Sequence, residues 1–235
     1  MSCSHINTAG NIAELYMQAN DRQLFASSLV MRLEKKPVHT SVIVPCSHRH
    51  VHVLSELLDH FNAQSRKPDE IVISVSGCVA PTKLPSNVRV LHSSMPLTAG
   101  QNRNRASEAA IGDVLIYQDA DDLPHPQRVE IIAHLFETYE IEHLMHYYFY
   151  KEPQTCTFAT EEVVAQSAYS SDPARNGVTN GNIAIARSVF QAVKWPEYAR
   201  VGEDQAFNRE VYKHFRRTVI TTLPLLTYRQ NLSTF

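Results

Sequence analysis

The chain has 235 residues, with 22 Lys and Arg against 24 Asp and Glu, and 43% of its residues are hydrophobic. That length suits one domain with a sizeable core and room for an appendage. The nearly balanced charge implies no nucleic acid or other polyanion as a partner, and the ordinary aliphatic and aromatic content excludes an intrinsically disordered chain.

Four cysteines, Cys3, Cys46, Cys78 and Cys156, are scattered with no C-x-x-C pair. They read as reduced thiols of a cytoplasmic protein rather than a disulfide framework. There is no N-terminal apolar signal core and no apolar run long enough to cross a bilayer, so work at a membrane would need a partner.

In chain order, residues 1–10 are polar. Asn11 and Glu14 resemble a capping box, and Leu24, Phe25, Leu29 and Leu33 follow near helical spacing until Pro37. Residues 1–37 are therefore expected to form a helical N-terminal extension that packs on the main domain, residues 38–235, or docks a partner. Ser41–Pro45 is an apolar run suited to a buried, parallel strand. Val51, Leu54, Leu57, Leu58 and Phe61 take helical spacing after it. Strands are expected at Ile71–Val75 and Val88–Leu91, a helix at about Gly100–Ile111, and a strand at Asp113–Tyr117. This alternation predicts an α/β sheet flanked by helices, with ligands at the carboxyl ends of its strands.

That last strand runs into Tyr-Gln-Asp-Ala-Asp-Asp-Leu-Pro-His-Pro, Tyr117–Pro126. Asp119, Asp121 and Asp122 repel one another unless a cation or strong donors neutralise them. Mg²⁺ and similar hard ions take oxygen ligands, often shared between one or two carboxylates and a substrate phosphate, so the stretch points to a metal–diphosphate site. The alternative is that these acids only cap the next helix. Pro126 is expected in that helix's first turn, with Val129, Ile132 and Phe136 on its apolar face.

Leu144–Tyr150 reads as a strand, residues 151–180 as loops shaping an acceptor pocket, and Asn182–Ala186 as a short strand. Gly202-Glu203-Asp204 opens a helix whose Phe207, Val211 and Phe215 face the core. Glu203 and Asp204 lie about 100° apart around that helix, so only one can aim squarely into a pocket. Taken alone, they are better explained by the helix dipole, which favours acids at an N-terminus whatever the function. His48, His50 and His52 follow the first strand without zinc-site partners and read as a ligand-contacting loop. Arg103 could meet phosphate or sugar oxygens, whereas Arg105 reads as part of a solvated face.

Together these stretches resemble the family-2 glycosyltransferases, which have the GT-A fold. Ser41 to Arg49, Ser-Val-Ile-Val-Pro-Cys-Ser-His-Arg, is similar to the family's opening strand and nucleotide loop. Asn102-Arg103-Asn104-Arg105-Ala106 resembles its A-R-N-x-G helix start. Asp119-Ala120-Asp121-Asp122-Leu123 with His125-Pro126 resembles its D-A-D-D-x-x-x-P element. Gly181-Asn182 through Phe190, then Gly202-Glu203-Asp204, resembles its acceptor segment, and Tyr228-Arg229 a recurrent Y-R pair. The resemblance covers about Ser41 to Ser233, in the family's order.

It implies a GT-A, Rossmann-like, mostly parallel mixed sheet and a metal-dependent, inverting, non-processive transfer. A sugar would pass from a nucleoside-diphosphate sugar, expected to be UDP-linked, to an acceptor hydroxyl on a glycan, protein or lipid head group. Pro45, Ser47, Ser76, Arg103, Asp119 and Ala120 would contact the donor. Asp119 and Asp121 would hold Mn²⁺ or Mg²⁺, Asp204 would be the general base, and Glu203 would position the acceptor. Three departures stand out. Ser74, Val75 and Ser76 occupy the positions where the family carries acids that read the donor's base and ribose. Asn231 replaces a His near the metal, and Lys194-Trp195-Pro196 replaces glycines before the acceptor loop. These leave open a GT-A-like module that binds a nucleotide sugar or glycan without turning it over. A nucleotidyltransferase is disfavoured by the lack of a Gly-rich phosphate loop with a nearby Lys.

Overall fold

The computed structural model describes residues 34–79, 84–149, 159–170, 181–198 and 202–229. The expected helical extension lies almost wholly outside them. The first strand, β1 (Thr40–Ser47), leads through a 3-10 turn at Val51–Val53 into α1 (Leu54–Asn62). Then come β2 (Glu70–Ser76), β3 (Val88–Ser93), α2 (Ala99–Ala109) and β4 (Val114–Tyr117). After the acidic loop lie β5 (Leu123–Pro124), α3 (Arg128–Thr138) and β6 (His143–Phe149). The chain continues with α4 (Glu161–Ser167), β7 (Ala168–Ser170), β8 (Ala184–Ala186) and α5 (Arg187–Ala192). It closes with α6 (Glu203–His214) and β9 (Thr218–Thr227).

The strands form one mixed sheet in the order β3-β2-β1-β4-β8-β6-β9-β5, with β7 paired to β9. Around β1 the pairing is parallel; β8 then runs antiparallel to both β4 and β6. From β1 the chain winds outward through β2 and β3, then returns to lay β4 on the other side of β1. This reversal opens a crevice between the carboxyl ends of β1 and β4, where such sheets bind ligands.

Alternation along the strands divides the core between two faces. Val42, Val44 and Cys46 of β1, with Val114 and Ile116 of β4, pack with Leu54, Leu57 and Phe61 of α1 and Val129, Ile132 and Phe136 of α3. Ile43, Leu115 and Tyr117 face the opposite way, against Ala106 of α2, Val189 of α5, Trp195, and Phe207 and Val211 of α6.

Several expectations need correction. Pro126 precedes the helix rather than entering its first turn, because the N-cap is Gln127 and α3 starts at Arg128. Part of the stretch expected as loops is regular: Thr160 caps α4 by accepting from the Val163 N–H, and β7 follows directly. Asn182 lies before β8 rather than within a strand, its amide being committed to the acidic loop. The two-residue β5 and the long β9 were not anticipated. β9 contains Pro224, which has no N–H for a ladder; it sits where the β6–β9 register shifts, the setting in which a strand tolerates proline.

Candidate functional site

The acidic loop leaves the carboxyl end of β4 and is stapled from within. Gln118 Nε2 donates to the carbonyls of Asp119 and Asp122, both at 3.1 Å, and the Asp122 N–H donates to the Asp119 carbonyl at 3.2 Å. Asn182 braces it from the β8 side. Its Nδ2 donates to Asp119 Oδ2 at 3.1 Å and Asp122 Oδ2 at 3.0 Å, and its Oδ1 accepts from the Asp119 N–H at 2.6 Å.

The three carboxylates differ in surroundings. Asp122 is buried, with Oδ1 accepting from the Arg229 N–H at 3.2 Å. Burial, then the neighbouring charges of Asp119 and Asp121, push its pKa up to about 8. Asp119 is more open, but each oxygen already accepts a bond, one from Asn182 and one from Arg103 Nη2 at 2.7 Å. Asp121 Oδ2 lies 3.8 Å from His50 Nε2, and its backbone carbonyl accepts from Arg229 Nε at 2.6 Å.

Behind the loop lies a cation that no motif announced. Arg128, fully buried in the first turn of α3, donates through Nη2 to the carbonyls of Tyr117 at 2.9 Å and Asn182 at 3.2 Å, and pairs with His146. Burial pushes its pKa down to about 9, offset by attraction to Asp122 and Asp119. A cation at a helix N-terminus opposes the dipole. That misplacement is the signal by which the sequence could have flagged it.

On the other side, α2 begins with a capping box formed by Thr98 and Gln101. It presents four consecutive polar side chains to its surroundings. Asn102 accepts from Ser74 Oγ at 2.8 Å and donates to Ser76 Oγ at 3.0 Å. Arg103 Nη1 reaches Glu203 Oε1 at 3.2 Å while its Nη2 holds Asp119. Asn104 exchanges two hydrogen bonds with the backbone of Trp195, at 3.0 and 2.9 Å. Arg105 donates to the His92 carbonyl at 2.7 Å.

The Arg103 guanidinium also lies 4.5 Å from the Trp195 ring centroid, and that ring stacks on Phe207 of α6 at 4.0 Å. A Cβ at Gly181 would collide with Arg103 Nη2. Burial alone would weaken the Arg103 charge, but Asp119 and Glu203 outweigh it and raise its pKa.

At the start of α6, Gly202 adopts φ 80°, and Glu203 and Asp204 occupy the first turn. Burial, together with the charges of Glu203 and Asp119, raises the Asp204 pKa above the usual carboxylate range. Its bond from the Gln205 N–H and the Arg103 charge oppose the shift.

Among the sequence-predicted residues, Arg103, Asp119 and Glu203 thus form one ion-paired chain, with Asp204 beside it. Pro45 and Ser47 end β1, half-buried next to the crevice, and Ala120 is buried in the core beneath the loop. Ser76 is buried, its hydroxyl turned to Asn102. Asn231 lies outside the described residues. Sequence reasoning missed Asn182, Trp195 and Arg128 as site-forming side chains.

Among the described residues no three His, Cys, Asp or Glu side chains converge as a metal cage. A divalent ion at Asp121 would therefore take most of its ligands from a substrate diphosphate and water, a donor set that suits Mg²⁺ and Mn²⁺. No described helix is long and apolar enough to cross a membrane.

The sequence profile described as glycosyl transferase family 2 matches residues 41–214. Among solved structures, S. aureus TarS 1–349 in complex with UDP superimposes with a TM-score of 0.65 at 18% identity, covering 81% of this chain and 60% of that one. The same protein in complex with UDP-GlcNAc gives 0.65 at 16%, covering 81% and 58%. A mycobacterial protein gives 0.58 at 14%, covering 91% and 72%. The chain spans about three fifths of the TarS fragments it matches. At these identities the likeness establishes the fold, which is GT-A. No curated protein sequence matches.

Proposed function

The chain belongs to glycosyl transferase family 2, and from that premise we propose that it moves a sugar from a nucleoside-diphosphate sugar to an acceptor hydroxyl. UDP is the expected nucleotide, and the transfer inverts the anomeric centre once per encounter. The observation that carries this reading is the chain Asp119–Arg103–Glu203, which joins the acidic loop to the start of α6 through two ion pairs. In this reading the two ion pairs hold a donor-side and an acceptor-side acid at one crevice.

In this reading Asp119 turns its remaining lone pairs to the donor, and Asp121 holds Mn²⁺ or Mg²⁺. A bound ion would neutralise charge building on the departing diphosphate. Asp204, made more basic by its surroundings, takes the acceptor hydroxyl's proton as the oxygen bonds to the anomeric carbon. The bond from that carbon to the diphosphate breaks in the same displacement. Glu203, oriented by Arg103, positions the acceptor. Residues 38–235 form the catalytic domain, and the unpaired cysteine pattern favours a cytoplasmic setting.

One observation favours a second reading, a binding module without turnover. Ser74 and Ser76, standing where the resemblance expects acids, are spent on Asn102. A thermal-shift screen of nucleoside diphosphates and nucleotide sugars, with and without Mn²⁺, tests the proposal, because a ligand of the native state raises Tm. The expected result is an Mn²⁺-dependent rise with UDP-linked ligands that Asp121→Ala abolishes. Unchanged binding by that variant would refute the metal role. Transfer or donor hydrolysis dependent on Asp204 would exclude the binding module.

A further inference from the structure

We propose that His50 Nε2 and Asp121 Oδ2 are the two protein atoms that grip the divalent cation, making His50 a nitrogen ligand. This rests on the metal-dependent reading above and assigns its second ligand.

The first ground is position. His50 follows β1 and Asp121 follows β4, the two adjacent strands from which the chain departs in opposite directions. The pair therefore spans the crevice where such sheets take ligands. Both side chains keep a narrow opening to solvent, 20% for His50 and 12% for Asp121.

The second ground is spacing. At 3.8 Å, Nε2 and Oδ2 stand farther apart than a hydrogen bond allows. Two ligand atoms on one octahedral ion with bonds of about 2.1 Å stand about 3.0 Å apart when adjacent and about 4.2 Å when opposite. The observed gap falls between these, so a small side-chain rotation admits the ion.

The third ground is that both ends of the gap are fixed through one closed circuit. The His50 N–H donates to the Ser47 carbonyl at 3.0 Å, and its own carbonyl accepts from the Val53 N–H at 3.1 Å. The turn then enters α1, where Glu56 accepts from Arg229 Nη1 at 2.6 Å. Arg229 Nε in turn holds the Asp121 carbonyl at 2.6 Å. These bonds fix the backbone from which both side chains reach into the gap. An imidazole ligand also favours Mn²⁺ over Mg²⁺, which prefers oxygen.

The test is pulsed electron paramagnetic resonance of Mn²⁺ added to the full chain, alone and with UDP, alongside an Mn²⁺ titration. The wild type is expected to show ¹⁴N modulation from a directly bound imidazole. His50→Gln should lose it and weaken Mn²⁺ binding by about tenfold or more, no less than loss of an outer-shell partner costs. His52→Gln, changed on an exposed neighbour, should keep the modulation. Bound Mn²⁺ without ¹⁴N modulation in the wild type, or modulation persisting in His50→Gln, overturns the His50 assignment and leaves the metal reading standing. No Mn²⁺ uptake by the wild type, even with UDP, overturns both. The wild-type spectrum decides the matter even where a variant folds poorly.

Discussion

Arg103 and Asp119 meet through a single charge-assisted bond, Nη2 to Oδ1 at 2.7 Å, and the same guanidinium reaches Glu203 on α6. One buried cation thus sets the distance between the loop that would face the donor and the helix that would face the acceptor.

Arg103→Ala should therefore lower kcat more than it raises KM, because it releases Glu203 and Asp119 from each other. Stability should fall by about 2–3 kcal/mol, below the full cost of breaking a buried pair because both carboxylates keep some solvent. Arg103→Lys keeps the charge but lacks the planar fork, so it should restore stability in part and kcat hardly at all. Urea denaturation and steady-state kinetics on the three proteins check this.

Asn182→Ala leaves Asp119 and Asp122 without a shared donor. Asp122 is the more buried, so the variant should lose about 1–3 kcal/mol. Adding Asp122→Asn should recover part of that loss, since a neutral amide avoids the repulsion that pushes the Asp122 pKa up to about 8. A double-mutant cycle in urea measures the coupling.

Asp204→Asn should reduce kcat by on the order of 10²–10⁴, the usual worth of general-base help, with donor affinity kept. Since the Asp204 pKa is raised by burial, the acid limb of kcat/KM should lie above the pH of an ordinary carboxylate. It should vanish from the variant's residual activity. An unaltered limb would remove Asp204 from the base role.

Two glycines separate steric from conformational need. Gly181→Ala should move the Arg103 guanidinium and cut activity severely, because the new Cβ collides with it. Gly202→Ala meets no atom within 4 Å but must hold φ +80°. It should lose about 1–2 kcal/mol from backbone strain with little change in chemistry once folded. Tm and single-turnover rates distinguish the pair.

His143 gives the fold an acid-side weakness away from the site. Burial pushes its pKa down to about 4, partly opposed by the bond to Asn208 Oδ1 at 3.0 Å. The unfolded chain binds the proton near pH 6.5, the folded chain only near pH 4, so stability is full above 6.5 and is lost as pH falls towards 4. The loss is on the order of 3 kcal/mol. The difference in stability between wild type and His143→Gln, followed from pH 7 to 4, should change by about that amount.

The parallel half of the sheet and the acids after β4 were legible because continuous apolar runs mark buried strands and aspartates at a strand end are locally conspicuous. β5 and β9 were not, because each contains a proline and gains its place from distant partners. Arg128 was hidden because its environment is made by Tyr117, Asn182, His146 and Leu225, carbonyls and a ring far apart in sequence. Ser76 and Arg103 were read from the motifs around them as donor contacts. The structure shows both committed to neighbours, a pairing that only the packing of α2 creates.

Helix α2 is held around most of its circumference by Asn102, Arg103, Asn104 and Arg105, each bonded to a different neighbour. An oily face can slide against another oily face and lose little, since dispersion has no direction. This helix has no such freedom: turning it by one residue, about 100°, would break all four attachments together. Its rotational setting is thus all-or-none. Changes in substrate preference should accumulate in the loops around it, while the helix itself accepts either the whole arrangement or none of it.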